Sequence, residues 1–427
     1  SSTSKQQSPV PISVDQWGVN FVWSGTGYGA SYYSKNLYVS GTSIQTAVDN
    51  ANDGDTIYVA AGTYQEQVVV DKDLTIIGEA GTTIQRPTGT LTSHGVDGTT
   101  YEPLVYGHDC RFEFRDIDID GNDGSGSLDY VAFLAESCDG GISGSTITNM
   151  DADSSVRTLG ILVRGDSDYY VNMCDISGIS WLGIGAQGDG AATGGADPAV
   201  SVRDNTVTGF EETGTPYTHA ETGIAFLDGA TGDATGNDVY DCRHSNGQAV
   251  GIYFYDGGDT MADNFVQNCD TGMYTNVDTA ITHNEVTLCD IGLQDYSAST
   301  IEDNYMHANV GGMWIESPST VQYNDVMANT NYGIFVKHAG AVFHYNNIVG
   351  NTNFGIEAAH GLTGVDATNN WWGHISGPYH ASANSAGQGD DVDDGISHNP
   401  WTQFAQAHAT VRVIDSTGAP ISGVTIQ

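Results

Sequence analysis

The chain has 427 residues, with 53 Asp and Glu against 12 Lys and Arg, a formal net charge of −41. A surface so acidic excludes nucleic acid as a partner, because binding a polyanion rests on Lys and Arg that displace its counterions. No run of 18 apolar residues exists, so no membrane-spanning helix is expected, and the acids are spread along a β-rich pattern, which excludes a disordered acidic tail.

Residues 1–41 are rich in Ser, Gly and aromatics, among them Trp17, Phe21, Trp23, Tyr28, Tyr32 and Tyr33. They read as an irregular arm packed on the body of the protein or on a partner. The chain starts at Ser1 without Met, so a signal peptide, if there was one, is already removed. Thr42 and Ser43 can cap a short amphipathic helix that puts Ile44, Ala47, Val48 and Ala51 on one face. That helix is expected to plug an open strand edge. Residues 56–120 carry the first short strands: Thr56 to Val59, Val68 to Val70, Leu74 to Ile77, then Phe112, Phe114, Ile117 and Ile119. Asp116-Ile117-Asp118-Ile119-Asp120-Gly121 matches the first half of a calcium loop. The twelfth position is Ser127, where the pattern needs Glu, and the same alternation describes a strand with its acids outward.

Regular openings of Gly plus an apolar residue begin at Gly160, Gly183 and Gly223. From Gly251 to Trp372 the unit repeats six times, at Gly251, Gly272, Gly292, Gly312, Gly333 and Gly355, in steps of 21, 20, 20, 21 and 22 residues. Twelve to fourteen residues after each opening stands an Asn: Asn264, Asn284, Asn304, Asn324, Asn346 and Asn369. A fixed period near 20 is the mark of a solenoid. Within one unit, Ile252 to Tyr255, Thr260 to Asp263 and Phe265 to Gln267 read as three strands separated by turns, too short for a helical stripe. The Asn between the second and third strands suits a left-handed bend, and stacked on its neighbours it can form an amide ladder. One coil cannot bury its own apolar face, so the stack must be long.

These residues resemble the right-handed parallel β-helix, or pectin-lyase-like, family. The resemblance spans about residues 42–402. It includes Ser43 to Val48, Asp53 to Ile57 and Gly62-Thr63-Tyr64 at the start. At the end it includes Thr368 to Gly373, Ser376-Gly377-Pro378 and Asn399-Pro400-Trp401. It implies an all-β fold of about a dozen three-strand coils with a short N-terminal capping helix. On activity it is silent, since the fold hosts lyases, hydrolases, esterases, epimerases, adhesins and phage tailspikes. Trimerisation, as in tailspikes, is one assembly it permits, although no coiled-coil segment supports it. The acidic, Lys-poor composition resembles that of proteins from halophiles, haloarchaeal ones or their viruses in particular. High salt would screen the self-repulsion; an acidic secreted protein of ordinary medium is the alternative.

The spacing stretches between Gly183 and Gly251, with insertions at Gln187 to Pro198, Glu211 to Thr222 and Arg243 to Ala249. Long turns on one face of a solenoid usually build its binding face. The candidates for chemistry beside them are Arg164, Asp166, Asp189, Arg203, His219, Glu221, Asp228, Arg243, His244 and Asp256. Of these, Arg164, Asp189, Arg203, His219, Glu221 and Asp228 are the foremost catalytic candidates. A carboxylate pair serves hydrolysis, and an Arg or His base near a cation serves β-elimination. The specific signatures of the family's enzymes are missing: no Asp-Pro-His, no Gly-His-Gly and no Trp-Ile-Asp-His.

In the first strand of each coil, strand alternation turns the second and fourth residues after Gly outward. Outward residues are therefore Leu162 and Arg164, Tyr253 and Tyr255, Tyr274 and Asn276, Gln294 and Tyr296, Trp314 and Glu316, Phe335 and Lys337. Tyr253, Tyr255, Tyr274, Tyr296, Trp314, Glu316 and Phe335 make a face suited to sugar rings, unless loops or the N-terminal arm cover it.

Six cysteines, Cys110, Cys138, Cys174, Cys242, Cys269 and Cys289, contain no C-x-x-C pair. They read as core filler, with a disulfide as the lesser alternative. Asp390, Asp391, Asp393 and Asp394 are candidate metal ligands, although their spacing departs from a calcium loop. Calcium or another structural cation is the only cofactor in view. Residues 403–427 resemble the opening strands of an immunoglobulin-like surface module.

The leading expectation is an extracellular, cell-surface or virion-associated protein of a halophile that binds a glycan or host surface through the outer face of a β-helix. A polysaccharide lyase, glycoside hydrolase or epimerase acting in the same groove is the alternative, and a rigid spacer is the third.

Overall fold

The computed structural model describes residues 12–14, 17–21, 35–96, 99–122, 129–150, 157–189, 196–209 and 221–406. His219 and most of the expected C-terminal module lie outside these residues. The chain forms two compact units, one of residues 1–180 and 186–200, the other of residues 181–185 and 201–427. Both are built as parallel β-helix, in which the strands of the coils pair in parallel with the equivalent strands one coil away and three sheets enclose a core.

In the first unit the helix Ile44–Asn50 is capped by Ser43, whose Oγ accepts from the Thr46 N–H, and it buries Ile44, Ala47 and Val48 as the pattern predicts. Glu66 anchors its start, accepting from the Ile44 and Gln45 N–H groups at 2.6 and 3.0 Å. The N-terminal segment is more regular than its composition suggests. Ile12–Val14 and Trp17–Phe21 form an antiparallel pair, and Trp17–Phe21 pairs with Lys35–Val39. That last strand then begins a parallel run through Asp55–Val59 and Leu74–Gly78. Asp118–Asp120 is a strand, with Ile119 buried and Asp118 and Asp120 half-buried. Asp120 accepts from Gln85, Asn122 and Asn149, so the strand reading of that acidic segment holds.

In the second unit the first strands Thr222–Leu227, Val250–Tyr255, Thr271–Thr275, Ile291–Asp295, Gly311–Ile315, Tyr332–Val336 and Phe354–Ala358 stack in order. Ile252, Met273, Leu293, Met313, Ile334 and Ile356 pair directly and are fully buried. The second and third strands contribute matching rows, such as Met261, Ile281, Ile301 and Val321, or Val266, Val286, Met306 and Val326. Each row puts identical or similar apolar groups in contact, which is how a coil of three short strands becomes stable only in the stack.

The opening glycines are fixed by crowding between coils. A Cβ added to Gly251, Gly272, Gly292, Gly312 or Gly333 would lie 2.4–2.7 Å from the carbonyl oxygen of the next coil's glycine.

The amide ladder is present, with two corrections to the sequence reading. It runs Asn205, Asn237, Asn264, Asn284, Asn304, Asn324, Asn346 and Asn370, each rung donating from its Nδ2 to the next Oδ1 at 2.9–3.0 Å. Its last rung is Asn370, not Asn369. The left-handed bend also falls one residue earlier, at Asp263, His283, Asp303, Tyr323, Tyr345 and Asn369, with φ between 55° and 63°. The ladder Asn keeps ordinary backbone geometry and turns its amide inward. A second ladder follows the third strands. Cys269 donates its N–H to Cys289 Sγ and Cys289 donates to Asn309. Asn309, Asn329 and Asn351 continue it, and it ends on Asp390. All six cysteines are free and buried.

Candidate functional site

The outer face of the first-strand sheet differs between the units. In the first, every residue of Thr158–Arg164 is buried. Leu162 and Arg164 point away from the core as alternation requires, but they are covered. The Arg164 guanidinium donates to Tyr101 Oη at 3.1 Å and to the Val96 carbonyl at 3.4 Å. The pair His94–Val96 and Thr99–His108, joined antiparallel at its start, supplies this cover. Arg164 is thus an internal strut, at 5% exposure.

In the second unit that face carries two outward rows. Tyr253, Tyr274, Gln294, Trp314 and Phe335 are neighbours through direct ladder pairing. Two residues further along each strand stand Tyr255, Asn276, Tyr296, Glu316 and Lys337. Four tyrosines form one continuous surface, with ring centroids 5.7 Å apart for Tyr255 and Tyr253, 4.9 Å for Tyr253 and Tyr274, and 5.2 Å for Tyr274 and Tyr296. Trp314 and Phe335 make a second pair at 4.6 Å. Tyr255 and Tyr296 are each 40% exposed, and Tyr253, Tyr274, Trp314 and Phe335 are half-buried, so among the described residues nothing hides this face as Arg164 is hidden.

Trp314 is held in place. Its Nε1 donates to Glu316 Oε1 at 2.6 Å, Lys337 Nζ donates to the same oxygen at 2.7 Å, and the ammonium sits 4.5 Å from the Trp314 ring centroid. Burial pushes the Glu316 carboxyl up, but Lys337 and Trp314 outweigh it and hold the group below the usual carboxylate range. A fixed indole loses little freedom when a ligand packs on it. Burial raises the phenol of Tyr253 to about 12. It raises Tyr274 and Tyr296 as well, with acids beside them adding to the effect. These are neutral hydroxyls at physiological pH, able to donate and accept hydrogen bonds.

Beside Tyr253 and Tyr274 lies a groove of about 550 Å³, walled by Trp181, Thr222, Leu227, Gln248, Thr271 and Gln294 among others. Trp181 and Gln248 were not foreseen. Trp181 directly precedes the strand Leu182–Gln187, and Gln248 comes from the turn before Val250; a tryptophan just ahead of a glycine opening is the one signal that pointed there.

The other candidates are placed as follows. Asp189 belongs to the first unit, where its N–H donates to the Asp197 carboxylate at 3.0 Å; Asp166 is exposed in a turn of the same unit. Arg203 lies on Ala199–Arg203, a strand of a different sheet from the aromatic face, and binds Ser201 and Asp233. Glu221 is 5% exposed, buried beneath the start of its strand. Asp228 and Asp256 take left-handed geometry, φ 55° and 53°, and turn the chain at first-strand ends. Asp256 exchanges hydrogen bonds with the Asn276 amide. Arg243 ties adjacent coils through Asn268, Asp270 and Asp290, and the His244 N–H donates to Asp270. Arg203, Glu221 and Asp228 therefore stand on three different features of the second unit. Glu316 is the carboxylate that holds Trp314 among the aromatics, and Glu357 pairs directly with Phe335 at the end of the same outward row.

Three of the four C-terminal aspartates, Asp390, Asp393 and Asp394, have separate side-chain partners. Asp390 accepts from Gly350 and Asn351 as the end rung of the second ladder. Asp393 meets the Ala358 N–H and Asp394 pairs with His380. Among the described residues no group of three or more His, Cys, Asp or Glu is arranged to hold a metal. No helix among them is long and apolar enough to cross a membrane.

The profile of the right handed beta helix region matches residues 222–371, the stretch that holds most of the aromatic face. No curated protein sequence matches the chain. Among solved structures it is similar to the Dettilon tailspike protein (gp208), at 15% identity and a TM-score of 0.40, covering 83% of this chain and 63% of that one. It is similar to a mannuronic acid specific polysaccharide family 6 lyase from human gut microbiota, at 11% identity and 0.48, covering 82% and 86%. It is also similar to the periplasmic alginate epimerase AlgG, at 14% identity and 0.40, covering 86% and 78%. The chain spans less than two thirds of the tailspike's length. From its own strand pairing and the match to the right handed beta helix region, the chain is an all-β right-handed parallel β-helix with an asparagine ladder.

Proposed function

We propose that the protein is a glycan-recognition protein that binds sugar chains on the aromatic face of its second unit, from Tyr253 to Phe335. The observation that carries this reading is the contiguous row Tyr255, Tyr253, Tyr274 and Tyr296, exposed at Tyr255 and Tyr296, with the fixed Trp314 and Phe335 beyond it. Exposed aromatics on a sheet are costly unless a ligand covers them. Flat rings suit the C–H faces of pyranoses, while the Gln294 amide and the phenols suit their hydroxyls. Recognition is favoured over catalysis because the arginines and acids first considered for chemistry are buried, turn-forming or on another sheet. We place the protein outside the cell, on a cell surface or a virion, in concentrated salt that screens its net charge of −41.

The test is retention on a panel of immobilised polysaccharides in molar salt. Trp314→Ala and Tyr274→Ala should abolish retention, while Tyr323→Ala, an exposed tyrosine at a bend between the second and third strands, should leave it intact. New reducing ends or unsaturated sugars from any polymer of the panel would overturn pure recognition in favour of an enzyme.

A further inference from the structure

We infer, resting on the glycan reading above, that the ligand is an uncharged glycan, a chain of neutral hexoses or acetamido sugars rather than a polyuronate or a sulfated or sialylated polymer. Between residues 201 and 406 the sequence contains three Lys and Arg: Arg203, Arg243 and Lys337. Each is spent on a carboxylate. Arg203 meets Asp233 at 2.9 Å, Arg243 meets Asp270 and Asp290 at 3.5 and 3.4 Å, and Lys337 meets Glu316 at 2.7 Å. Only Lys337 stands on the aromatic face, and its charge is cancelled there by the acid that also holds Trp314.

The polar groups that line the groove are neutral. Thr222, Gln248, Thr271 and Gln294 are among them, and burial keeps the Tyr253 and Tyr274 phenols neutral beside them. A carboxylate or sulfate drawn against this face would lose its water without gaining a cation. It would also meet Glu316 and, at the strand end, Asp256. Like charges brought together disfavour the wrong partner strongly. Molar salt screens the long-range repulsion, but it supplies no partner for a charge in contact.

The experiment compares dissociation constants at pH 7 for neutral polymers (a β-glucan, a mannan, a chitin oligomer) with those for alginate, polygalacturonate and a sulfated dextran, in EDTA and again with calcium. The neutral class should hold the tightest ligand, with every acidic polymer weaker by about tenfold or more. Glu316→Gln, which frees the Lys337 ammonium, should raise polyuronate affinity several-fold. Polyuronate binding as tight as any neutral polymer, and lost in Trp314→Ala, would overturn this inference while leaving the glycan reading standing. An unchanged polyuronate affinity in Glu316→Gln, in protein with wild-type melting, would also overturn it. Binding to no polymer of either class would overturn the glycan reading itself.

Discussion

Asn304→Ala tests the asparagine ladder at its centre. Asn304 is 1% exposed. Its Oδ1 accepts from the backbone N–H and the Nδ2 of Asn284 at 3.0 and 2.9 Å. Its Nδ2 donates to the carbonyls of Ile281 and Glu302 and to Asn324 Oδ1 at 2.8–2.9 Å. Truncation strips the Asn284 N–H and the Ile281 carbonyl of these bonds. The Glu302 carbonyl keeps the His283 N–H, and Asn324 Oδ1 keeps the Asn304 N–H. Two buried groups left short at roughly 1–3 kcal/mol each, with a small void, give a loss of about 3 kcal/mol. Guanidinium unfolding followed by circular dichroism measures it. Asp303→Gly is the control: Asp303 holds the left-handed φ of 55°, which Gly adopts without strain, so stability should change little. Asn304→Asp keeps the acceptor but turns a second oxygen toward two carbonyls. It should cost at least as much at pH 7 and recover in acid. Asn304→Ala within about 0.5 kcal/mol of wild type would refute the claim that the ladder bonds matter individually.

Three further outcomes follow from the structure. Burial holds His398 below its ordinary value of 6.5, with His380 adding to the effect and the Ile396 carbonyl opposing it. The unfolded chain then binds this proton more readily than the folded one, so its stability is fully present above about 6.5 and lost as pH falls through that value; His398→Gln should flatten that limb of a melting profile between about pH 7.5 and 5, and a parallel profile would contradict this. A thiol reagent should label none of the six buried cysteines in native protein and all six after unfolding without reductant. Fewer than six would reveal a disulfide, for which Cys110 and Cys138, with sulfurs 3.5 Å apart, are the pair to examine. Withdrawing salt should lower the melting temperature progressively, because 53 acids face 12 Lys and Arg; a melting temperature independent of salt would show that self-repulsion is already balanced.

The repeat was legible because its strongest constraints recur in sequence. Inward residues such as Ile252, Met273 and Leu293 must be apolar in every coil, the glycine must admit the next coil's carbonyl, and the ladder position must be Asn. The bend was misplaced by one residue because left-handed geometry is met there by Asp, His, Tyr or Asn in turn, with no common residue type to mark it. Alternation correctly gave the direction of Arg164 and of Tyr274, but direction is not exposure. The cover over Arg164 comes from residues 94–96 and 99–101, more than sixty positions away, whereas nothing among the described residues covers Tyr255 or Tyr296 so fully. Asp390 looked like a metal ligand beside three other acids, yet in space it completes a row of amides. Local acid density could not distinguish a cation site from a ladder end.

The central claim is that the open aromatic face binds a glycan, and calorimetric titration of the tightest-binding oligosaccharide into wild-type protein and into Trp314→Ala tests it most directly. The wild type should bind saturably, and the variant, with an unchanged melting temperature, should have lost that binding. Equal affinity in both proteins would place the ligand elsewhere and contradict the account.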